Sequence, residues 1–491
     1  MTKPPKLVLA VVDGLKPSMF ERALQTGRAP AFKAVVERGT YVEGGVSAAF
    51  PSVTPVCAGA IATGVLQDRH HIPSMNWFSR AEKRYVEYGS SFAAARRFGF
   101  ARQLTDTVFN MNMQHLPADV PTVFERLDDA GVRTAGTTYL IYRGRTRHEV
   151  SRELALTRLA GALWRRHVMG PGELFYADIF ASRETPCRSQ LGMPGMRDQH
   201  AGCVSTHMLE HDLYDFLLLS LPDNDTHSHK HGPHAQVTSI ANADKQLERM
   251  MHAAGGPGPF LDEHAVIIVA DHSHAKVERR VDLGDAFADW AVLAPNAKLG
   301  EAEIALCPAQ RSGMVYVLVE DGRHAIPPQL AKAALGVEGI DLAMWLDPDR
   351  NQGIIASRAG MLRFAPGGDP EGPPAVADPR GVSWSVDGQL AVLGAELRDG
   401  ILISDEYPDA LARVWAALTC PTSGDVLLSA GAGWEFADWG GVDHVGGGSH
   451  GSLHRSDSVG TLAYCGVEPP HDHQAWSIAD MAPMIWRHFG V

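Results

Sequence analysis

Two short clusters of carboxylate and imidazole are the residues in this chain best equipped for chemistry. One runs Asp223-Asn224-Asp225-Thr226-His227-Ser228-His229-Lys230-His231-Gly232-Pro233; the other is Asp271-His272-Ser273-His274. Carboxylate and imidazole at the C-terminal ends of two strands is how an open α/β sheet usually places a metal site. Asp225/His229 and Asp223/His227 share the i, i+4 spacing that puts two side chains on one helical face, so spacing alone leaves that register open. His274 is an alternative to His272. A third segment, Gly446-Gly447-Gly448-Ser449-His450-Gly451, has glycines that let backbone approach a ligand closely, so His450 could reach a metal. Asp13 follows the first apolar run; taken singly, an Asp there is most often a cap or turn residue.

A nucleophile is available in Phe50-Pro51-Ser52-Val53-Thr54-Pro55-Val56-Cys57-Ala58-Gly59-Ala60, which leads to Ala62-Thr63-Gly64. Pro55 suits the first helical position, which predicts Thr54 as the N-cap. The start of a helix stabilises anions, and a metal beside it could deprotonate the Thr54 hydroxyl. Trp77, Phe78 and Tyr88 could stack on a substrate, but burial in the core is the commoner fate of such side chains.

These residues need strands and helices to carry them. Lys6–Val12, Val132–Tyr142, Asp215–Leu221 and Ala265–Ala270 read as strands. Pro30–Arg38, Pro55–Thr63, Pro121–Ala130, Arg152–Val168, Gln236–Ala254 and Ile478–Phe489 read as helices. This alternation implies a mainly parallel sheet covered on both faces, with the carboxylates and imidazoles at strand C-termini. From Trp290 to Trp434 the texture changes to short strand-like pieces between Gly/Pro-rich turns. Examples are Met314–Val319, Gly353–Ser357 and Leu390–Leu393, with helices near Pro328–Leu335 and Pro408–Leu418. The expected division is an α/β core over 1–290, a largely β inserted cap over 291–434, and a core completed by 435–491.

Asp13, the Phe50-Pro51-Ser52-Val53-Thr54 block, Asp225-x-x-x-His229-Lys230-x-Gly232-Pro233, Asp271-His272 and His450-Gly451 occur together in an order similar to the alkaline phosphatase superfamily. In detail they resemble its nucleotide pyrophosphatase/phosphodiesterase branch, over about residues 6–80, 210–275 and 440–490. The resemblance implies an alkaline-phosphatase-like fold and selects Asp225 and His229 over the other register. It implies two zinc ions, one on Asp225, His229 and His450, the other on Asp13, Asp271, His272 and Thr54. It also implies a phosphodiesterase with a phosphothreonine intermediate on Thr54. The family's phosphoryl-binding Asn falls one residue before Asn76, the candidate for that role. Phosphonoacetate hydrolase and phosphomonoesterase are the alternatives. A sulfatase would need a C/S-x-P-x-R block, and Cys57 is followed by Ala-Gly-Ala. His227, His231, His274, His444 and His454 are left over, for support of the ligands or for structure.

Composition narrows the setting. The formal net charge of −13 and the lack of a basic stripe argue against duplex nucleic acid as a partner. No run is long enough for a membrane span. Leu7–Val12, closed by Asp13, is too short for a leader's apolar segment, so the expected location is cytoplasmic. Six cysteines in 491 residues make no disulfide framework; Cys187 and Cys203 could pair, but free thiols are expected. No organic cofactor is implied, and nothing bears on oligomeric state.

Overall fold

The computed structural model describes residues 4–149, 167–176, 179–187, 197–319, 325–347, 349, 351–367, 375–472 and 475–491. The strand Lys6–Val12 sits near the middle of an eight-stranded sheet. Across the sheet the order is Phe180–Ala181, Glu173–Tyr176, Thr134–Gly136, Phe216–Leu221, Lys6–Val12, His264–Val269, Leu462–Cys465 and Thr40–Tyr41. From Glu173–Tyr176 to His264–Val269 every pairing is parallel; the outer strands pair antiparallel. Along the first strand Leu7, Leu9 and Val11 join one apolar cluster, and Val8, Ala10 and Val12 the other. Both faces are therefore buried, as a parallel sheet with unbroken apolar strands requires. Val12 pairs with Leu221 and Val11 with Val269, so three strands end level with one another. Their next residues deliver Asp13, the helix Asp223–His231, and Asp271 to one crevice.

The β-rich region forms a second sheet of ten strands, with Val426–Ala430 between Ser312–Val317 and Ile340–Asp347. Its side chains also alternate: Ala305, Cys307, Met314, Tyr316 and Leu427 face the cluster that contains Leu9 and Ile267, while Ile304, Leu306, Val315 and Leu428 face a separate one. The region is thus packed onto the first sheet through a shared core. The helix Thr54–Thr63 belongs to the same shared core, and its residues from Pro55 to Thr63 are all buried. Its apolar, small-residue sequence has no polar face because it meets no solvent.

Several expectations need correction. Val132–Tyr142 contributes only the short strand Thr134–Gly136; beyond Gly136 the chain leaves the sheet, held by Thr137, whose N–H donates to the Leu218 carbonyl. Leu390–Leu393 is a short 3₁₀ turn ended by left-handed Gly394. Arg152–Val168 lies outside the described residues except for its end, where His167–Gly170 is a strand. Cys187 and Cys203 form a disulfide, while Cys57, Cys307, Cys420 and Cys465 are free. Trp77, Phe78 and Tyr88 are core residues, the commoner fate expected of them; Trp77 packs edge-on against His115, and Phe78 against Tyr85 and Tyr316.

Candidate metal centre

Asp225 and His229 lie on one face of the helix Asp223–His231, with Asp225 Oδ1 3.3 Å from His229 Nε2. The competing pair faces elsewhere: Asp223 binds Arg197 at 3.0 Å, and His227 donates to the Ala235 carbonyl at 3.1 Å. His450 follows the short strand Gly448–Ser449 and brings Nε2 to 3.4 Å from Asp225 Oδ1. On the other side, His272 Nε2 is 3.4 Å from Asp13 Oδ1, 3.4 Å from Asp271 Oδ2 and 3.3 Å from Thr54 Oγ1.

Backbone carbonyls set the tautomer of all three imidazoles. Nδ1 of His229 donates to Gly448 at 2.9 Å, that of His272 to Ser273 at 3.1 Å, and that of His450 to Ser52 at 2.8 Å. In the neutral ring, the form that binds a metal, each Nε2 therefore presents a lone pair to the centre. Gly447 and Gly448 are glycine for this reason: a Cβ on Gly447 would lie 1.9 Å from the His229 carbonyl oxygen, and one on Gly448 2.8 Å from that of Ser228.

The separations suit bound ions. Donors sharing one tetrahedral ion at bond lengths of about 2.0–2.1 Å stand about 3.3–3.4 Å apart, the spacing of His229 and His450 from Asp225 and of Asp13 and Asp271 from His272. Charge points the same way. Burial, then the charges of Asp271 and Asp225, push the Asp13 carboxyl well above its ordinary range, and its buried Oδ1 has no hydrogen-bond partner. Burial would also raise Asp225, but the imidazoles of His229 and His274 outweigh it and hold that carboxyl well below the ordinary range. A cation beside Asp13 and Asp271 would relieve what the protein alone leaves uncompensated.

Thr54 is not the N-cap: Val53 holds that position and Thr54 is the first helical residue. Valine offers no capping oxygen, and no side chain caps this end. The Thr54 hydroxyl is left facing His272. Asn76 is placed differently from the other candidates. It is buried in the strand Asn76–Ser79, where its amide donates to the Val86 carbonyl at 3.2 Å and to Glu87 Oε2 at 3.0 Å. Its donors are thus engaged within that hairpin.

Three contributors escaped sequence reasoning or were left over by it. His274 Nε2 lies 2.8 Å from Asp225 Oδ1, and the donors of Asp225, His272, His274 and His450 all fall within 4.8 Å of one another. His444 stacks on His229 with ring centres 4.0 Å apart and is anchored by buried Glu435 at 2.7 Å. Tyr139, in the loop after Thr134–Gly136, has a buried hydroxyl without a hydrogen-bond partner; burial, then Asp271, Cys57 and Asp13, push it well above the usual phenol range. Only the crowding of histidines near 272 and 450 gave a signal for the first two; nothing marked Tyr139.

A mainly parallel sheet with a carboxylate–imidazole cluster at its strand ends and a hydroxyl-bearing helix start beside it defines a hydrolase of alkaline-phosphatase-like fold. The model of the type I phosphodiesterase / nucleotide pyrophosphatase family matches residues 7–333, and the chain belongs to that family. It is a phosphoric ester hydrolase. Two solved structures share the fold. One is phosphonoacetate hydrolase from Sinorhizobium meliloti 1021 in complex with phosphonoformate, at TM-score 0.57 and 15% identity, covering 100% of both chains. The other is human ectonucleotide pyrophosphatase / phosphodiesterase 5, at TM-score 0.55 and 12% identity, covering 99% of this chain and 95% of that one. No curated protein matches the sequence. No described helix is long and apolar enough to cross a membrane.

Proposed function

We propose that the protein hydrolyses small phosphodiesters through a covalent intermediate on Thr54. The observation that carries this reading is the Thr54 hydroxyl, freed from capping and 3.3 Å from His272 Nε2. In the reading, Asp225, His229 and His450 hold one zinc ion, and Asp13, Asp271 and His272, with Thr54, hold the other. Bound there, the ions would acidify the hydroxyl and neutralise charge on the phosphoryl oxygens.

Thr54 Oγ1 forms a bond to phosphorus as the bond to the leaving oxygen breaks, and the threonine proton passes to solvent. The departing alkoxide takes a proton from solvent. Water then attacks the phosphothreonine, releasing the monoester and restoring the hydroxyl. Backbone N–H groups at the start of the helix Thr54–Thr63 favour the negative charge that builds on phosphorus. The region over 291–434 is assigned to substrate recognition and support of the site, and 1–290 with 435–491 to the catalytic core.

Zinc-loaded protein should turn over bis-p-nitrophenyl phosphate faster than p-nitrophenyl phosphate, and a chelator should stop both. Preference for the monoester would overturn the diesterase reading. A phosphonate substrate is the second reading, favoured by the end-to-end structural match to phosphonoacetate hydrolase; release of phosphate from phosphonoacetate would select it. As for compartment, a cystine persists where the surroundings are oxidising, so Cys187–Cys203 weighs against the cytoplasmic expectation.

A further inference from the structure

We propose that His274 is a positioning residue: it donates its Nε2 hydrogen to the Asp225 carboxylate and so holds that carboxylate in place as a metal ligand, without binding metal itself. The inference rests on the two-zinc reading and adds a residue to it. By position alone His274 could be a fourth protein ligand, since it is fully buried and its donor falls inside the tight group with Asp225, His272 and His450.

Two observations separate the roles. The first is distance. His229 and His450 stand 3.3 and 3.4 Å from Asp225 Oδ1, the separation of two ligands on one ion, whereas His274 stands at 2.8 Å. That is the length of a charge-assisted hydrogen bond. The second is the other ring nitrogen. The three imidazoles read as ligands each commit Nδ1–H to a backbone carbonyl, which leaves Nε2 bare. His274 Nδ1 is buried and has no hydrogen-bond partner. A proton on it would be a donor buried without an acceptor, which is costly. The hydrogen of the neutral ring therefore belongs on Nε2, where Asp225 accepts it.

Its surroundings hold the ring in place. A Cβ on Gly14 would lie 2.7 Å from both Cδ2 and Nε2 of His274, so the first strand's turn is pressed against the imidazole. The His274 carbonyl accepts from Lys16 Nζ at 3.0 Å, tying the same turn to the backbone of the same residue. A carboxylate oxygen has lone pairs for both a metal and a hydrogen bond, so the two contacts are compatible.

The test compares wild type with His274→Leu, which removes the donor, and His274→Gln, whose side-chain amide can supply one. Zinc affinity is measured by competition with a chelating dye, and imidazoles per zinc by X-ray absorption. His274→Leu should weaken one of the two zinc ions about 10–100-fold, the usual effect of losing such a partner. His274→Gln should recover most of the loss, and the imidazole count should be the same in all three proteins. Wild-type zinc affinity in His274→Leu would overturn the inference, and so would loss of one imidazole from the zinc shell, which would make His274 a ligand. If the leucine variant does not fold, His274→Asn, whose amide falls short of Asp225, replaces it under the same criteria. A wild-type protein that binds no zinc would overturn the two-zinc reading itself, and this inference with it.

Discussion

The imidazole of His450 donates its Nδ1 hydrogen to the carbonyl of Ser52, 2.8 Å away and two residues before Thr54. The bond joins a proposed metal ligand to the loop that carries the proposed nucleophile, across almost the whole length of the chain. It is doubled by the backbone, where Ser52 N donates to the Gly451 carbonyl at 3.3 Å and Gly451 N to Ser52 Oγ at 3.1 Å. The β-rich region closes around the pair: Arg311 N donates to the His450 carbonyl at 2.9 Å, and buried Arg413, on the helix Ala410–Thr419, reaches the carbonyls of Leu453 and Ala49. The β-rich region therefore holds the two loops together.

Thr54→Ala should lower turnover of the preferred ester by at least about 1,000-fold, as loss of a nucleophile does, with circular dichroism and melting temperature close to wild type. The hydroxyl caps no helix, so its removal takes little from the fold. Turnover near the wild-type rate would rule out the covalent scheme.

Metal-free protein should lose stability as pH rises. The folded Asp13 carboxyl is raised above its unfolded value by burial, then by Asp271 and Asp225. Its contribution is fully present below the ordinary carboxylate pKa and is lost as pH climbs through the raised one. With chelator present, Asp13→Asn should melt higher than wild type at pH 8, while its zinc affinity falls. Urea melts across pH with and without zinc check both halves; a lower melting point for chelated Asp13→Asn would contradict the electrostatic argument.

Gly14→Ala should damage the centre from behind. Gly14 has φ +65°, and an added methyl would meet the His274 ring at 2.7 Å. The backbone strain alone costs on the order of 1 kcal/mol, and the collision adds displacement of His274. Reduced stability with weakened zinc binding is expected, measured by denaturant titration and dye competition.

Titration of unfolded, unreduced protein should find four free thiols, and six after reduction. The bond spans a separation of 16 residues, for which loop-closure entropy allows a stabilisation of up to about 3 kcal/mol. Cys203→Ser should lower the melting temperature accordingly. Six thiols before reduction would remove the disulfide.

Much of the architecture was legible because it depends on local chemistry. Pro30–Arg38 and Lys6–Val12 carry patterns that one element alone satisfies, and both form over the predicted residues. Val132–Tyr142 did not follow its pattern, because a strand extends only as far as a neighbour pairs with it, and here pairing stops at Gly136 with Leu218. The cysteines were misjudged because pairing depends on a three-dimensional approach that spacing does not report. Thr54 was misplaced by one residue, since proline is tolerated at either of the first two helical positions.

The residue types for the centre were present in the sequence alone: Asp13, Thr54, Asp225, His229, Asp271, His272 and His450 are all visible as motif positions, since chemistry restricts which side chains can bind zinc or attack phosphorus. Which nitrogen of His229 and of His450 faces the centre was decided only by tertiary structure, because the carbonyls of Gly448 and Ser52 that set their tautomers come from distant segments, whereas His272 uses the carbonyl of the next residue. The same holds for His274, ambiguous as a letter beside His272 and given a distinct role by a 2.8 Å contact with a residue 49 positions away. Ligand type is a property of a side chain; ligand role is a property of distance, and distance exists only once the chain has folded.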